Sequence, residues 1–314
     1  MNIVLKIAYF ISDLILPLCV GYLLSKKAKA NKEFFDKLLY VNIYLFFPTM
    51  GLLSFWNATL SLELIWLPFL GIIMQVIPGV IAAFRVKKKY EDPLEQGSYL
   101  VSTMLSNRGV VGSLSVFILY GEIAYAYSRF IMMLGSITVY MFCYPLAQHF
   151  YQKKIGKQKK KSSLKSALFN KNQFPLIGLL LGVILNTSGI ERPMVFGTLF
   201  QVIVHISAWI SLIPVGYSIN FEKMKKYKRE MWELSSIKFI ITPLLTFILA
   251  RWLISDPIVL NTTIILAFSP TAINAVITAK INKLNIHLAM ASFITTTIIY
   301  LLFIFPIILL LFNI

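Results

Sequence analysis

The stretch STMLSNRGVVGSLSV, Ser102 to Val116, places an asparagine, an arginine and two glycines inside a long apolar segment. An arginine at the centre of a membrane helix costs about 3 kcal/mol even on the scale that gives the lowest values. Helix-breaking glycines at this depth are tolerated only where neighbouring protein or a wet cavity satisfies the freed backbone groups. The stretch therefore predicts a place where a membrane helix is interrupted.

The composition around this stretch is that of a helical membrane protein. Of the 314 residues, 58% are hydrophobic and 14% are charged, whereas soluble domains carry about 25% charged residues. The apolar residues come in long runs without a period of two, which indicates α-helices and not a barrel. We predict ten membrane spans, with no room for a separate soluble domain: 3–25, 35–55, 61–84, 97–120, 124–150, 174–190, 197–219, 233–254, 258–280 and 287–312.

The net charge of +17 is distributed in a way that argues against a nucleic-acid partner. Most lysines and arginines lie in alternate loops, after spans 1, 3, 5, 7 and 9. Loops rich in Lys and Arg face the cytoplasm, so both termini are predicted to be extracytoplasmic in a multi-pass protein of the cell membrane. The basic run at 153–171 is expected to be a solvated loop that contacts anionic lipid head groups.

Ten spans divide into two sets of five, and an odd number per set makes the second set enter the membrane from the opposite side. We predict a first five-helix repeat at 1–151, a basic cytoplasmic linker at 152–173 and a second, inverted repeat at 174–314. Three pairs of matching residues, separated by 165–167 residues, support this division: Pro48 and Pro214, Pro78 and Pro243, Asn107 and Asn274.

The second half carries an interruption that matches the first, in span 9, where the sequence AFSPTAINAV contains Pro270. Proline has no amide hydrogen to donate and clashes with the preceding turn. Each break creates helix ends, whose free amides attract anions and whose free carbonyls attract cations. Interrupted segments at corresponding positions of two halves are the best sequence pointer to the binding site of a transporter.

These motifs resemble those of the auxin efflux carrier family, which includes plant auxin exporters and bacterial malate or malonate carriers. The resemblance is carried by SNRGVVGSLSVFILYG and FSPTAINAVITAKINKLNIHLAMASF, and extends to LPLCVGYLLSKK and YVNIYLFFPTMGLLSF near the N-terminus. It implies ten helices in two inverted repeats, with helices 4 and 9 broken and crossing at mid-membrane. It also implies a scaffold of helices 1, 2, 6 and 7 that dimerises, and a moving transport domain of helices 3–5 and 8–10.

The resemblance places Asn107 on the asparagine of the first crossing, and Pro270 to Asn274 on the second crossing. The plant members carry a proline in each crossing, whereas here span 4 breaks on Gly109 and Gly112. Arg108 is also not expected across the family. These departures argue against indole acetate, the substrate of the plant members.

Arg108 has two interpretations. Its guanidinium can present a fixed fork of donors to a substrate carboxylate. Alternatively, it can neutralise an internal carboxylate, for which Asp13 in span 1 is the candidate because it is the acidic residue well inside a span. Asp13 is also the candidate for a proton site. His205 in span 7 is expected to be a packing residue.

The remaining candidates for substrate contact surround the two breaks or lie in span 2. Asn107 and Asn274 each offer two donors and one acceptor, and they serve either the substrate or the loose backbone at the breaks. Small hydroxyl residues can also serve ordinary helix packing. The other candidates are: Ser106, Gly109, Gly112, Ser269, Pro270, Thr271 and Asn42.

These features predict a secondary transporter of a small organic anion, with a carboxylate as the expected substrate. Transport by alternating access is expected to be elevator-like, and either uniport or weakly coupled to protons through Asp13. The alternative is a sodium-coupled symporter of the bile-acid type, which needs carboxylates or a polar cage around the crossing. The sequence has no enzyme motif, and no cofactor or metal is predicted; the expected partners are the anion, the bilayer and a second copy of the chain.

Overall fold

The structure is a computed structural model, and it describes residues 3–27, 32–156, 174–219 and 227–312. Most of the predicted basic linker, 157–173, lies outside the described residues. Within them the regular secondary structure is helical, and the one extended pairing is an isolated bridge between Ser106 and Thr271. The helices are: α1 (3–27), α2 (32–56), α3 (62–89), α4 (Pro93–Met104), α5 (Arg108–Tyr120), α6 (Glu122–Ile131), α7 (135–155), α8 (Phe174–Thr187), α9 (Met194–Tyr217), α10 (228–253), α11 (Pro257–Ala267), α12 (Ile273–Ile281) and α13 (286–311).

Six helices of the described part are long and apolar enough to cross a membrane. They coincide with predicted spans 1, 2, 3, 7, 8 and 10, and their bounds are: Val4–Lys26, Glu33–Trp56, Leu62–Lys89, Met194–Tyr217, Glu230–Leu253 and Ile286–Leu311. Many of their large apolar side chains are exposed, as expected for a surface that faces lipid. The chain thus has the helices of a multi-pass membrane protein.

The remaining predicted spans are shorter or divided. Predicted span 4 is formed by α4 and α5, and predicted span 9 by α11 and α12, so both are interrupted where the sequence indicated. Predicted span 5 is also divided, because a turn at 132–134 separates α6 from α7. Pro270 lies in the second break, as predicted. The first break lies at residues 105–107, so the prediction that span 4 breaks on Gly109 and Gly112 is wrong: both glycines lie in the helical turn that begins α5.

The two interrupted segments begin in the same way. An Asp-Pro pair starts both α4 and α11, with the proline in the first turn and the aspartate as the N-terminal cap. The Asp92 carboxylate accepts from the Leu94 amide at 3.2 Å, and the Asp256 carboxylate accepts from the Ile258 amide at 2.8 Å. A capping carboxylate and a proline at the first position are both strong start signals for a helix.

Prolines also determine where the long helices contain a π-helical turn. A proline leaves the carbonyl four residues earlier without its usual amide partner, and a π-helical turn accommodates this defect. Five π-helical turns each end two residues before a proline: Phe10–Ile15, Asn42–Phe46, Val139–Cys143, Ile237–Ile241 and Tyr300–Ile304. The π-helical turn Arg108–Gly112 is different, because glycines take the place of the proline.

Glycines allow two pairs of helices to pack with their backbones in contact. A Cβ atom added at Gly21 of α1 would overlap the Ile213 carbonyl of α9, and one added at Gly216 of α9 would overlap the Leu18 carbonyl of α1. A Cβ atom at Gly178 of α8 would likewise overlap the Pro48 carbonyl of α2. Small residues bring membrane helices together in this way because dispersion contacts, and not water exclusion, hold such helices in contact.

Candidate functional site

The two helix breaks pair with each other. Ser106 and Thr271 form an antiparallel bridge, in which the Asn107 amide donates to the Pro270 carbonyl at 2.7 Å and the Ala272 amide donates to the Leu105 carbonyl at 2.9 Å. These short extended segments therefore satisfy backbone groups that the breaks had freed.

Side chains complete the crossing. The Thr271 amide donates to the Thr296 hydroxyl at 2.9 Å, and the Thr271 hydroxyl donates to the Ser102 carbonyl at 3.1 Å. A Cβ atom at Gly112 would lie 2.5 Å from the Ser269 hydroxyl oxygen, so α5 approaches the second break closely. That hydroxyl has no hydrogen-bond partner among the described residues. The candidates Ser106, Ser269, Pro270 and Thr271 are thus brought together by the fold.

Arg108 points into the protein, toward α3. It is 5% exposed, and its guanidinium donates to the Gly71 carbonyl at 2.7 Å and to the Gln75 side-chain oxygen at 3.0 Å. The Gln75 amide nitrogen in turn lies 3.5 Å from the Cys143 sulfur. Arg108 therefore fixes the first turn of α5 against α3.

The structure does not pair Arg108 with Asp13. The Asp13 carboxylate lies 2.5 Å from Nδ1 of His205 on α9, and it accepts from the Ser12 hydroxyl at 3.0 Å. The reason is that Asp13 lies on the side of α1 that packs against α9. His205 packs against the Tyr9 ring, as a packing residue should, and it also has this ionisable partner.

A small cleft of about 20 Å³ lies beside the first break. Its walls come from α2, α5, α6 and α9, and the lining includes Phe47, Gly109, Arg129, Ser207 and Ser211. Its lining is mostly apolar with a few polar groups, as in sites for small molecules. In this conformation the cleft has room for about one water molecule, so it must widen to hold an organic anion. Of the sequence candidates in the described chain, Gly109 is the one that lines it.

Arg129 is the cationic side chain of this cleft, and the sequence analysis did not select it. Its guanidinium donates to the Gly109 carbonyl at 3.1 Å and to the Tyr125 hydroxyl, and it lies over the rings of Phe47 at 4.6 Å and Tyr125 at 4.5 Å. Its Nε atom is buried without a hydrogen-bond partner among the described residues. The available signal was an arginine five residues inside predicted span 5.

Lys238 is a second residue that the sequence analysis did not select. It is 1% exposed, and its ammonium donates to the Ser106 hydroxyl at 2.8 Å and to the Leu105 carbonyl at 3.4 Å. In the sequence it resembles a basic residue at the cytoplasmic end of span 8. The signal was its depth in the span together with the absence of an acidic residue three or four positions away.

The three candidate asparagines have different surroundings. Asn42 is buried between α2 and α9, where it accepts from the Ser207 hydroxyl at 2.7 Å and donates to the Ser211 hydroxyl. It thus holds two residues of the cleft wall without lining the cleft itself. In contrast, the side-chain amides of Asn107 and Asn274 make no hydrogen bond with any described residue; Asn107 is buried and Asn274 is exposed.

The fold and the site define a class: a multi-pass helical membrane protein with two paired helix breaks beside a cleft. No protein-family model matches the chain. The chain is similar to an uncharacterized transporter of Methanothermobacter thermautotrophicus, with 23% identity over 291 residues that cover 92% of this chain and 93% of that protein. The similarity suggests membrane transport, and it argues against an enzyme.

Proposed function

We propose that this protein is a secondary transporter of a small organic anion, with a carboxylate as the expected substrate. The observation that carries the proposal is a set of three cationic side chains around the crossing. Arg108 belongs to the segment 105–109. Arg129 and Lys238 each donate to oxygen atoms of that segment. None of the three forms an ion pair with a carboxylate of the described chain.

Positive charge inside a membrane protein is costly unless something compensates it. Carbonyl, hydroxyl and amide oxygens solvate these three cations in part, but they leave the net charge in place. A bound anion would neutralise it. Arg129 is the best placed of the three to contact such an anion, because it lines the cleft and has an unpartnered donor.

The proposal includes ten membrane segments arranged as two inverted repeats, 1–151 and 174–314. Three structural parallels support it: the Asp-Pro starts of α4 and α11, the π-helical turns Val139–Cys143 and Tyr300–Ile304, and the glycine contacts. In an inverted repeat α1 corresponds to α8 and α2 to α9. The contact between α1 and α9 is then equivalent by symmetry to the contact between α8 and α2, and glycines lie in both contacts.

The position of the cleft suggests how transport would work. One wall, α2 and α9, belongs to the scaffold that the resemblance to auxin efflux carriers implies, and the other wall, α5 and α6, belongs to the transport domain. A substrate bound there would move with Arg129 as the transport domain slides past the scaffold, which is an elevator-like form of alternating access. A homodimer through the scaffold and a cell-membrane location with extracytoplasmic termini complete the proposal.

Coupling follows from the sign of the substrate charge. Outward movement of one negative charge is favoured by about 2.3 kcal/mol per 100 mV of inside-negative potential, so efflux needs no co-ion. Asp13 with His205 is the pair through which weak proton coupling would act. The alternative, a sodium-coupled symporter of the bile-acid type, requires a cation site at the crossing that a sodium ion can enter.

A ligand screen followed by a transport assay tests the proposal. Purified full-length protein is screened by thermal shift against mono- and dicarboxylates, and positive anions are tested for counterflow in sodium-free proteoliposomes. We expect at least one carboxylate to stabilise the protein and to show counterflow. Strict dependence on sodium would favour the alternative, and the absence of any anion-dependent stabilisation or counterflow would refute anion transport.

A further inference from the structure

The structure points to a specific role for Lys238: we propose that its ammonium is a tethered cation at the place where a sodium ion would otherwise bind. While the Lys238 amine is protonated, its charge makes the site independent of sodium. As a statement about coupling, this inference rests on the proposed transport function; as a statement about cation binding, it can be tested without any substrate.

The first argument is the position of the ammonium. Helix α4 ends at Met104, and the Leu105 amide donates to the Val101 carbonyl, so the carbonyls of residues 102–104 have no amide of a following helical turn to accept from. Such a helix end carries partial negative charge and favours a cation. In transporters with broken helices, unwound carbonyls and half-helix C-terminal ends are the groups that coordinate sodium. The Lys238 ammonium lies at this end of α4, bonded to the Leu105 carbonyl and the Ser106 hydroxyl.

The second argument is that the fold delivers Lys238 to this position from a distant helix. Lys238 lies in the π-helical turn Ile237–Ile241 of α10, which ends two residues before Pro243. Its side chain is 1% exposed, and it reaches a residue 132 positions earlier in the sequence. A lysine side chain loses up to about 2 kcal/mol of rotamer freedom when it is buried, so this placement requires compensating contacts. The two oxygen acceptors of the first break provide them.

The third argument is the charge of the surroundings. Within the described parts of the chain, the ionisable groups that act electrostatically on Lys238 are Arg108 and the Cys143 thiol, and no carboxylate is among them. A sodium ion entering this space would meet the ammonium of Lys238 and the guanidinium of Arg108, and no described residue supplies a negative side chain to offset the repulsion. Sodium binding and a charged Lys238 are therefore mutually exclusive at this position.

A sodium-dependent melting experiment tests the inference. The melting temperature of the purified full-length chain is compared in sodium chloride and in choline chloride at equal ionic strength. We expect no difference for the wild type. Lys238→Ala empties the space and keeps the carbonyl and hydroxyl oxygens, so it should acquire a saturable stabilisation by sodium of several degrees.

Two variants control for other effects of the substitution. Lys238→Met removes the charge but fills the space, and should show no response to sodium. Lys280→Ala removes an exposed lysine and should also show none. A folded Lys238→Ala protein that does not respond to sodium would overturn the inference. If Lys238→Ala does not yield a folded protein, the melting temperature of the wild type is the test. A higher melting temperature in sodium chloride than in choline chloride would also overturn the inference.

The proposed function and this inference can fail separately. The melting experiment contains no organic anion, so it can succeed when the carboxylate screen finds nothing. If the screen does identify an anion, its affinity for the wild type should be the same in sodium and in choline. For Lys238→Ala, sodium should raise that affinity by about tenfold, within the usual range of coupling between two ligands.

Discussion

Two arginines near the first break have opposite surroundings. Arg108 belongs to a back pocket, which we define as Arg108, Gln75, Cys143 and Lys238, and its guanidinium is bonded to protein groups. Arg129 belongs to the cleft, where its guanidinium lies over two aromatic rings and keeps one donor unpartnered within the described chain. An arginine inside a membrane segment therefore does not by itself identify the substrate ligand; its neighbours decide whether its donors are available.

The largest effect is expected for Arg129→Gln. Hydrogen bonds to charged groups contribute about 1.5–3 kcal/mol, so the loss of the guanidinium should weaken anion binding by roughly 10- to 100-fold. The anion affinity of Arg129→Lys should lie between those of the wild type and Arg129→Gln, because lysine keeps the charge but lacks the planar fork of donors. The measurement is a thermal-shift titration with an anion from the screen.

Arg251→Gln is the matched control for Arg129→Gln, since it neutralises an exposed arginine at the end of α10. It should leave anion affinity unchanged. If Arg129→Gln binds the anion as tightly as the wild type does, the cleft is not the anion site.

The second prediction concerns the back pocket. The interpretation of Arg108 as a ligand of the substrate carboxylate predicts that Arg108→Gln abolishes anion binding with expression and dimerisation intact. Because the guanidinium anchors α5 to the Gly71 carbonyl and to Gln75, we now expect a loss of stability of about 1–3 kcal/mol, and a smaller loss of anion affinity than for Arg129→Gln. Thermal unfolding and anion titration of the same preparations separate the two effects.

One result would support Arg108 as a substrate ligand after all. If Arg108→Gln melts like the wild type and fails to bind the anion, Arg108 contacts the substrate in a state of the transport cycle that differs from this structure.

The third prediction compares asparagines with free and with bonded side chains. Asn107→Ala and Asn274→Ala should reduce transport several-fold without lowering the melting temperature, because their amides make no hydrogen bond with described residues. Asn42→Ala should lower the melting temperature, because its amide bonds Ser207 and Ser211; each such hydrogen bond contributes about 0.5–1.5 kcal/mol. Full transport activity in Asn107→Ala or Asn274→Ala would remove that residue from the site.

The smallest effect is expected at the start of α6, where the Glu122 carboxylate accepts from Arg192 at 3.1 Å. Burial raises the pKa of Glu122 above its ordinary value of 4.5, and Arg192 lowers it by less. The folded protein therefore binds this proton more tightly than the unfolded chain, so this contribution to stability is present at low pH and is lost as the pH rises through the raised pKa.

Glu122→Gln should remove that part of the pH dependence and keep a hydrogen bond to Arg192. Because glutamine keeps one hydrogen bond to Arg192, the change in stability should stay at about 1 kcal/mol. Melting temperatures of both proteins, measured on either side of the glutamate pKa, check it. A variant with the pH dependence of the wild type would show that Glu122 titrates without linkage to folding.

The sequence by itself determined the features that depend on local chemistry. Long apolar runs indicated the membrane helices, and the polar stretch around Asn107 and the proline Pro270 indicated where two of them break. The prediction at Pro270 succeeded because a proline changes the backbone within one turn of its own position, whereas Gly109 and Gly112 are accommodated inside the first turn of α5. The sequence also indicated that an arginine next to a break requires a partner.

Only the tertiary structure decided which groups became partners. Arg108 faces α3, Asp13 faces His205 on α9, Lys238 crosses from α10 to the first break, and Arg129 turns toward the cleft. The physical reason is that long polar side chains are placed by helices far away in the sequence. Their direction depends on how those helices pack, and no local pattern of residues contains that information.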